Sequence, residues 1–128
     1  MTYLNIEQLL ALHVLAIQET GGAHGLRDLG RIESIIAVQT QVVFDEELYP
    51  TIHEKAAAII RGVIADHPFV DGNKRTAMLA GLTLLSINGE EFAAKRGEIA
   101  DFAVKIATDK LDVPAIAVWL KAHCKATK

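Results

Sequence analysis

Apolar residues recur at three- and four-residue spacing along almost the whole chain, a period that suits helices and not strands. Ile6, Leu9, Leu10, His13, Ala16 and Ile17 trace one such face. Asn5 precedes them as a cap, Gln8 completes a capping box, and Gly21-Gly22 ends the helix. A second helix is predicted from the neighbourhood of Asp28 and Gly30, carrying Ile32, Ile35 and Ile36 and fading near Thr40. Thr51-Ile52-His53-Glu54 is another capping box. It opens a third helix to about Asp66, with Ala56, Ile59, Ile60, Val63 and Ile64 inward. The small residues Ala56, Ala57, Ala58 and Gly62 predict close neighbours there, in the middle of a bundle.

A fourth helix starts at Gly72-Asn73 and runs through Leu79, Leu82, Thr83 and Ile87 until Asn88-Gly89 stops it. A fifth spans about 97–108, with Ile99, Phe102, Ala103 and Ile106. The sixth is capped by Asp112, takes Pro114 in its first turn, and buries Ile116 and either Trp119 or Leu120, with Trp119 assigned to the core. Only residues 41–50 break the period. Val42-Val43-Phe44 favours strand, the next three residues are acidic, and Pro50 closes the segment, which reads as a loop or short hairpin. The expected architecture is all-α: a compact bundle of about six helices in one domain, 1–128, with a flap near 41–50.

Composition agrees with that reading. Apolar residues make up 51% of the chain but aromatics only 5%, so the core must be filled by Leu, Ile, Val and Ala, and disorder is excluded. The net charge of -3 leaves no footprint for direct nucleic-acid binding. One cysteine excludes a disulfide scaffold. The start lacks the pattern of a signal peptide, and the longest apolar run, 77–85, is too short for a membrane span. A cytoplasmic protein without membrane contact is expected.

Reactive groups concentrate in one stretch, His67-Pro68-Phe69-Val70-Asp71-Gly72-Asn73-Lys74-Arg75-Thr76-Ala77. Pro68 ends the third helix, and the fourth begins five residues on. Its first N–H groups and its dipole make an anion site, and Gly72 lets a phosphate approach the backbone. Lys74 and Arg75 lie in that first turn, where cations are unfavourable unless an anion sits among them. Asp71 is placed to hold Mg²⁺ bridging phosphate oxygens. His67 is the nearby side chain suited to accept a hydroxyl proton at neutral pH. Phe69 and Val70 are expected to face inward and anchor the loop. Phosphoryl or nucleotidyl transfer needs little else, since positioning and charge neutralisation carry most of the catalysis.

This stretch resembles the signature of the Fic/Doc superfamily, His-Pro-Phe-x-Asp/Glu-Gly-Asn followed by basic residues. The resemblance extends over nearly the whole chain toward the superfamily's Doc (death-on-curing) toxins, through Tyr3-Leu4, His13, Gly21-Gly22, 25–30, Tyr49-Pro50, Lys55-Ala56-Ala57 and Asn88-Gly89. It implies the Fic/Doc fold, with His67 as general base, Asp71 as metal ligand, and Gly72, Asn73, Lys74 and Arg75 as the phosphate nest for ATP with Mg²⁺. AMP-transferring members have glycine and arginine where this chain has Lys74 and Met78. The implied activity is therefore protein phosphorylation, with elongation factor Tu modified on a threonine and translation arrested. AMP transfer and a catalytically silent binding module remain as alternatives. The resemblance also implies a Phd-type antitoxin as partner and a target-docking role for 41–50. The superfamily's inhibitory helix has only a broken counterpart at 86–90.

His13 is expected to be a hydrogen-bonded core or groove residue. His24, His53 and His123 are expected on the surface, and Cys124 is given no chemistry. Arg27, Asp28, Arg31 and Glu33 fit either the mouth of the site or a helix cap with salt-linked neighbours.

Overall fold

A computed structural model describes residues 1–126. Six helices account for the fold: α1 (Ile6–Thr20), α2 (Leu29–Ala37), α3 (Ile52–Asp66), α4 (Asn73–Ile87), α5 (Glu98–Asp109) and α6 (Val113–Ala122). The all-α expectation holds, with two small antiparallel ribbons added. One is the flap, where β1 (Val42–Val43) pairs with β2 (Glu46–Glu47). The other joins β3 (Glu90–Phe92) to β4 (Cys124–Ala126), opposing Phe92 to Cys124. That second ribbon has no signal in the sequence, because its strands are short, carry two glutamates, and meet a partner more than thirty positions away.

The capping residues read from the sequence hold. Asn5 with Gln8 and Thr51 with Glu54 form complete capping boxes, and Asp28 and Asp112 cap α2 and α6. The core is α3 against α4, flanked by α1, α2, α5 and α6. Ala56, Ile59, Ile60 and Val63 of α3 are wholly buried, as are Ala77, Ala80, Leu84 and Leu85 of α4. Small residues set the distances. A Cβ on Gly81 would stand 2.4 Å from Ile60 Cδ1, and one on Gly62 would stand 2.9 Å from Ile35 Cγ1.

Two packing expectations, for Trp119 and Val70, need correction, and not all the larger apolar residues of α4 mark its buried face. On α4 the buried face is not the line through Leu79, Leu82 and Ile87; Ile87 is exposed and the other two are half-buried. A helix contacted on several sides buries its small residues at the crossings, so its apolar residues do not mark one stripe. Trp119 is half-buried at the edge of the core, stacked on Phe102 with ring centroids 3.9 Å apart. Val70 is exposed while Phe69 is buried. No helix among the described residues is long and apolar enough to cross a membrane.

Candidate active site

The loop from α3 to α4 is built by its backbone. His67 closes α3 in the left-handed conformation (φ 46°, ψ 58°), since Pro68 cannot extend the helix. The chain then runs antiparallel to residues 25–28. Arg27 and Asp28 N–H groups donate to the Pro68 carbonyl at 2.7 and 3.2 Å, and Val70 N–H donates to Gly25 at 3.0 Å. Buried Phe69 stacks on His13 with centroids 3.9 Å apart and planes 4° from parallel. His13 Nε2 lies 2.8 Å from the Asp71 carbonyl, which can only accept, so Nε2 carries the proton. Helix α1 thus holds the loop through His13, as its place on an apolar face foretold.

Gly72 (φ 72°, ψ 23°) turns the chain into α4. A Cβ there would lie 2.9 Å from Ile17 Cδ1, so conformation and space both demand glycine. No side chain caps α4, in contrast to α1, α2, α3 and α6. Its first-turn N–H groups therefore face the loop without a side-chain acceptor, at the positive end of the dipole.

Asn73 turns its carboxamide away from that end. It accepts from Phe69 N–H at 3.1 Å and donates to the Phe69 carbonyl at 3.0 Å. Its side chain fastens the loop, and what it offers an anion is its backbone N–H. Asp71 is exposed. One carboxylate oxygen accepts from Gly72 N–H and the other from Ala23 N–H, both at 3.2 Å. An exposed carboxylate with lone pairs left over, beside a helix start that attracts phosphate, fits the donor set of Mg²⁺, which takes one or two carboxylates, phosphate oxygens and waters.

The His67 ring is exposed and makes no hydrogen bond among the described residues. Lys74 and Arg75 are exposed in the first turn of α4; Arg75 pairs with Glu19 of α1, while Lys74 has no ion pair among the described residues. Both cations edge an open cavity of about 550 Å³ between α4 and α5, walled by Met78, Leu79, Leu82, Ile99 and Ala103. His67 opens on a different hollow of about 300 Å³, with Arg61, Ile106 and Lys110. The loop therefore shows its cations to one cavity and its imidazole to another, and the larger cavity is not the one that holds the imidazole.

The sequence pattern of the Fic/DOC family matches residues 3–85, which take in α1, the flap, α3, the loop and most of α4. The chain belongs to that family. It is 35% identical over 130 aligned positions to the toxin Doc of Mycolicibacterium smegmatis, covering 98% of this chain and 96% of that protein. It is also 35% identical over 122 positions to the protein kinase doc of Escherichia phage P1, covering 94% of each. Family membership therefore includes α5 and α6, beyond the matched pattern.

Of Arg27, Asp28, Arg31 and Glu33, the pair Asp28 and Arg31 forms a cap with a salt-linked neighbour. Asp28 accepts from Arg31 N–H at 3.2 Å and pairs with its guanidinium at 3.3 Å, and Arg31 also donates to the Asp66 carbonyl. His24 is on the surface as expected, but His53 and His123 are half-buried and paired with Glu90 and Glu98. Cys124, which no neighbouring residues in the sequence distinguish, lies beside His53 and Glu90. Burial and the Glu90 charge push its thiol pKa up. Sequence reasoning also missed Glu19, whose partner Arg75 is 56 positions away.

Proposed function

We propose that this protein is the toxin of a toxin–antitoxin pair, a kinase that moves the γ-phosphate of ATP to a hydroxyl on a protein acceptor. Its family relatives include a toxin and a protein kinase. The observation that carries the reading is the uncapped start of α4, with left-handed Gly72, the Asp71 carboxylate and Lys74, which has no ion pair among the described residues, around it. In this reading the N–H groups of Asn73, Lys74 and Arg75 receive phosphate oxygens, and the Lys74 ammonium neutralises their charge. The acceptor hydroxyl attacks the γ-phosphorus, the bond to the bridging oxygen breaks, ADP departs, and His67 takes the hydroxyl proton. Asp71 would hold Mg²⁺, which would supply neutralisation of the phosphate charge.

Met78 favours phosphate transfer over AMP transfer. It is 3% exposed and forms the wall beside Lys74 and Arg75, where AMP-transferring members of the superfamily place an arginine. A buried thioether has no charge with which to hold a polyphosphate in their orientation. The acceptor is elongation factor Tu, docked along the flap, whose Val42, Val43 and Phe44 are exposed, Phe44 to 96%. A free edge there can pair with an extended segment through main-chain hydrogen bonds. The antitoxin is of the Phd type, and its folding segment has the apolar cavity between α4 and α5 to occupy.

Incubation with purified elongation factor Tu and ATP labelled at either the α or the γ phosphate tests the reading. Label is expected to pass to the factor only from the γ position, and to be lost with His67→Ala. Transfer of the α label would establish AMP transfer instead. Growth arrest that persists in His67→Ala would point to binding alone.

A further inference from the structure

Three side chains that the transfer chemistry does not use converge at the other end of α3. His53 stands in its first turn, Glu90 opens β3, and Cys124 opens β4. An imidazole nitrogen, a carboxylate oxygen and the thiol sulfur lie within 4.8 Å of one another, all on partly buried residues. The fold makes this cluster: Cys124 opposes Phe92, so it is diagonal to Glu90 on the ribbon, and the start of α3 brings His53 to them.

A second observation is independent of proximity. A carboxylate oxygen of Glu90 is in ion-pair contact with His53 Nε2, yet that buried nitrogen has no hydrogen bond among the described residues. The contact with the carboxylate therefore does not satisfy the nitrogen as a hydrogen bond would. Buried polar atoms are as a rule hydrogen-bonded, so an orphan facing a carboxylate and a thiol calls for a ligand.

We infer that His53, Glu90 and Cys124 form a zinc site that staples the start of α3 to the β3–β4 ribbon. Mixed nitrogen, oxygen and sulfur donors suit Zn²⁺, whereas a thiol ligand argues against Mg²⁺ and Ca²⁺. Bonds of about 2.0–2.3 Å place neighbouring tetrahedral donors about 3.3–3.7 Å apart, so the Glu90 oxygen in contact with His53 draws back, donors standing up to 4.8 Å apart move closer, and water takes the fourth position. As the Zn–S bond forms, the Cys124 proton passes to solvent; without the cation, burial and Glu90 keep the thiol protonated. The site is separate from the transfer loop, since 53 and 67 are about 21 Å apart along the helix axis.

The test titrates the metal-free full chain with Co²⁺. One equivalent is expected to produce the visible bands of tetrahedral cobalt and a near-ultraviolet thiolate-to-cobalt band, both erased by stoichiometric Zn²⁺. Cys124→Ser loses the thiolate band, and His53→Gln weakens binding by roughly tenfold or more. His67→Ala binds as the unaltered chain does, whatever becomes of its kinase activity. Zn²⁺ raises the Tm of the unaltered chain with concentration and leaves Cys124→Ser unmoved. A cobalt spectrum without the thiolate band in the unaltered chain overturns the inference even if the variants fail to fold. So does the same band in Cys124→Ser, or a Tm indifferent to Zn²⁺.

Discussion

Asn73 shows how one side chain decides the shape of the transfer loop. Its amide donates to one backbone group of Phe69 and accepts from another, four residues back. Asn73→Asp keeps the size and loses the donor, setting a carboxylate against the Phe69 carbonyl. An unmet buried group of this kind costs about 1–3 kcal/mol. The gain from an acid in the first turn of α4 is about 0.3–1 kcal/mol, so the loss wins. The variant is expected to unfold at lower urea concentration and to transfer less phosphate. Equal stability would show that the amide does not fasten the loop. Three positions on, Thr76 is fully buried and its hydroxyl has no partner among the described residues. Thr76→Val keeps the shape and removes the unmet group, and is expected to stabilise by about 1 kcal/mol in the same urea experiment. At this scale the sequence disclosed which groups are present but not what each one faces. Asn73 reads as a phosphate ligand from its neighbours in the motif, yet its side chain bonds its own loop. Phe69 and Val70 read as a pair, yet one is buried and the other exposed.

Among the elements, the helices were legible because caps and periods are local, and the β3–β4 ribbon was not because its pairing is remote. The link from α5 to α6 shows the same limit. His123, which ends α6, places Nδ1 2.7 Å from the Trp119 carbonyl and Nε2 2.8 Å from Glu98 in the first turn of α5. Both partners accept, so both ring nitrogens donate and the imidazolium is favoured. The Trp119 carbonyl first and Glu98 second raise the His123 pKa above 6.5. The Lys95 N–H first and His123 second lower that of Glu98 below 4.5. The raised histidine adds stability in full below 6.5 and loses it as pH climbs through the raised value. The lowered carboxyl adds stability above 4.5 and loses it as pH falls through the lowered value. The stability gap between the unaltered chain and His123→Ala is therefore expected to be largest between 4.5 and 6.5 and to shrink in alkaline buffer. Urea denaturation across pH measures it, and a gap independent of pH would mean that packing on Phe92 and Trp119 is all that His123 supplies. The flap depends on a longer link. Buried Lys55 of α3 donates to the Gln39 carbonyl at 2.5 Å and to Glu47 at 2.9 Å. Glu47 is half-exposed and is readily rehydrated, so Lys55→Met is expected to cost only about 1–2 kcal/mol. Amide exchange should rise at 46–48 well before it rises in α3.

The whole molecule depends on how closely α3 and α4 cross, because the transfer loop is the join between their ends. The small residues of α3 announced a close crossing; which residue of α4 they meet was hidden, since α4 is touched on several sides and its apolar residues do not form a single stripe. The meeting point is Gly81 against Ile60. An added Cβ would stand 2.4 Å from both Cγ1 and Cδ1 of Ile60, a side chain with no exposed surface. Gly81→Ala must push the helices apart or force Ile60 off its rotamer, at about 1–3 kcal/mol. Ile60→Ala alone leaves a cavity in the core at about 2–5 kcal/mol. Together the new methyl enters the space that the lost side chain vacates. The double variant is therefore expected to lose less than the two single losses added, with a coupling of about 0.5–3 kcal/mol from a urea-denaturation cycle. Activity measured well below each Tm is expected to fall most, relative to the stability lost, in Gly81→Ala and to be partly recovered in the double variant, because the crossing sets how His67 at the end of α3 stands to Lys74 at the start of α4. Simple additivity in the cycle would mean that the crossing relaxes freely and that the loop is positioned by its own hydrogen bonds alone.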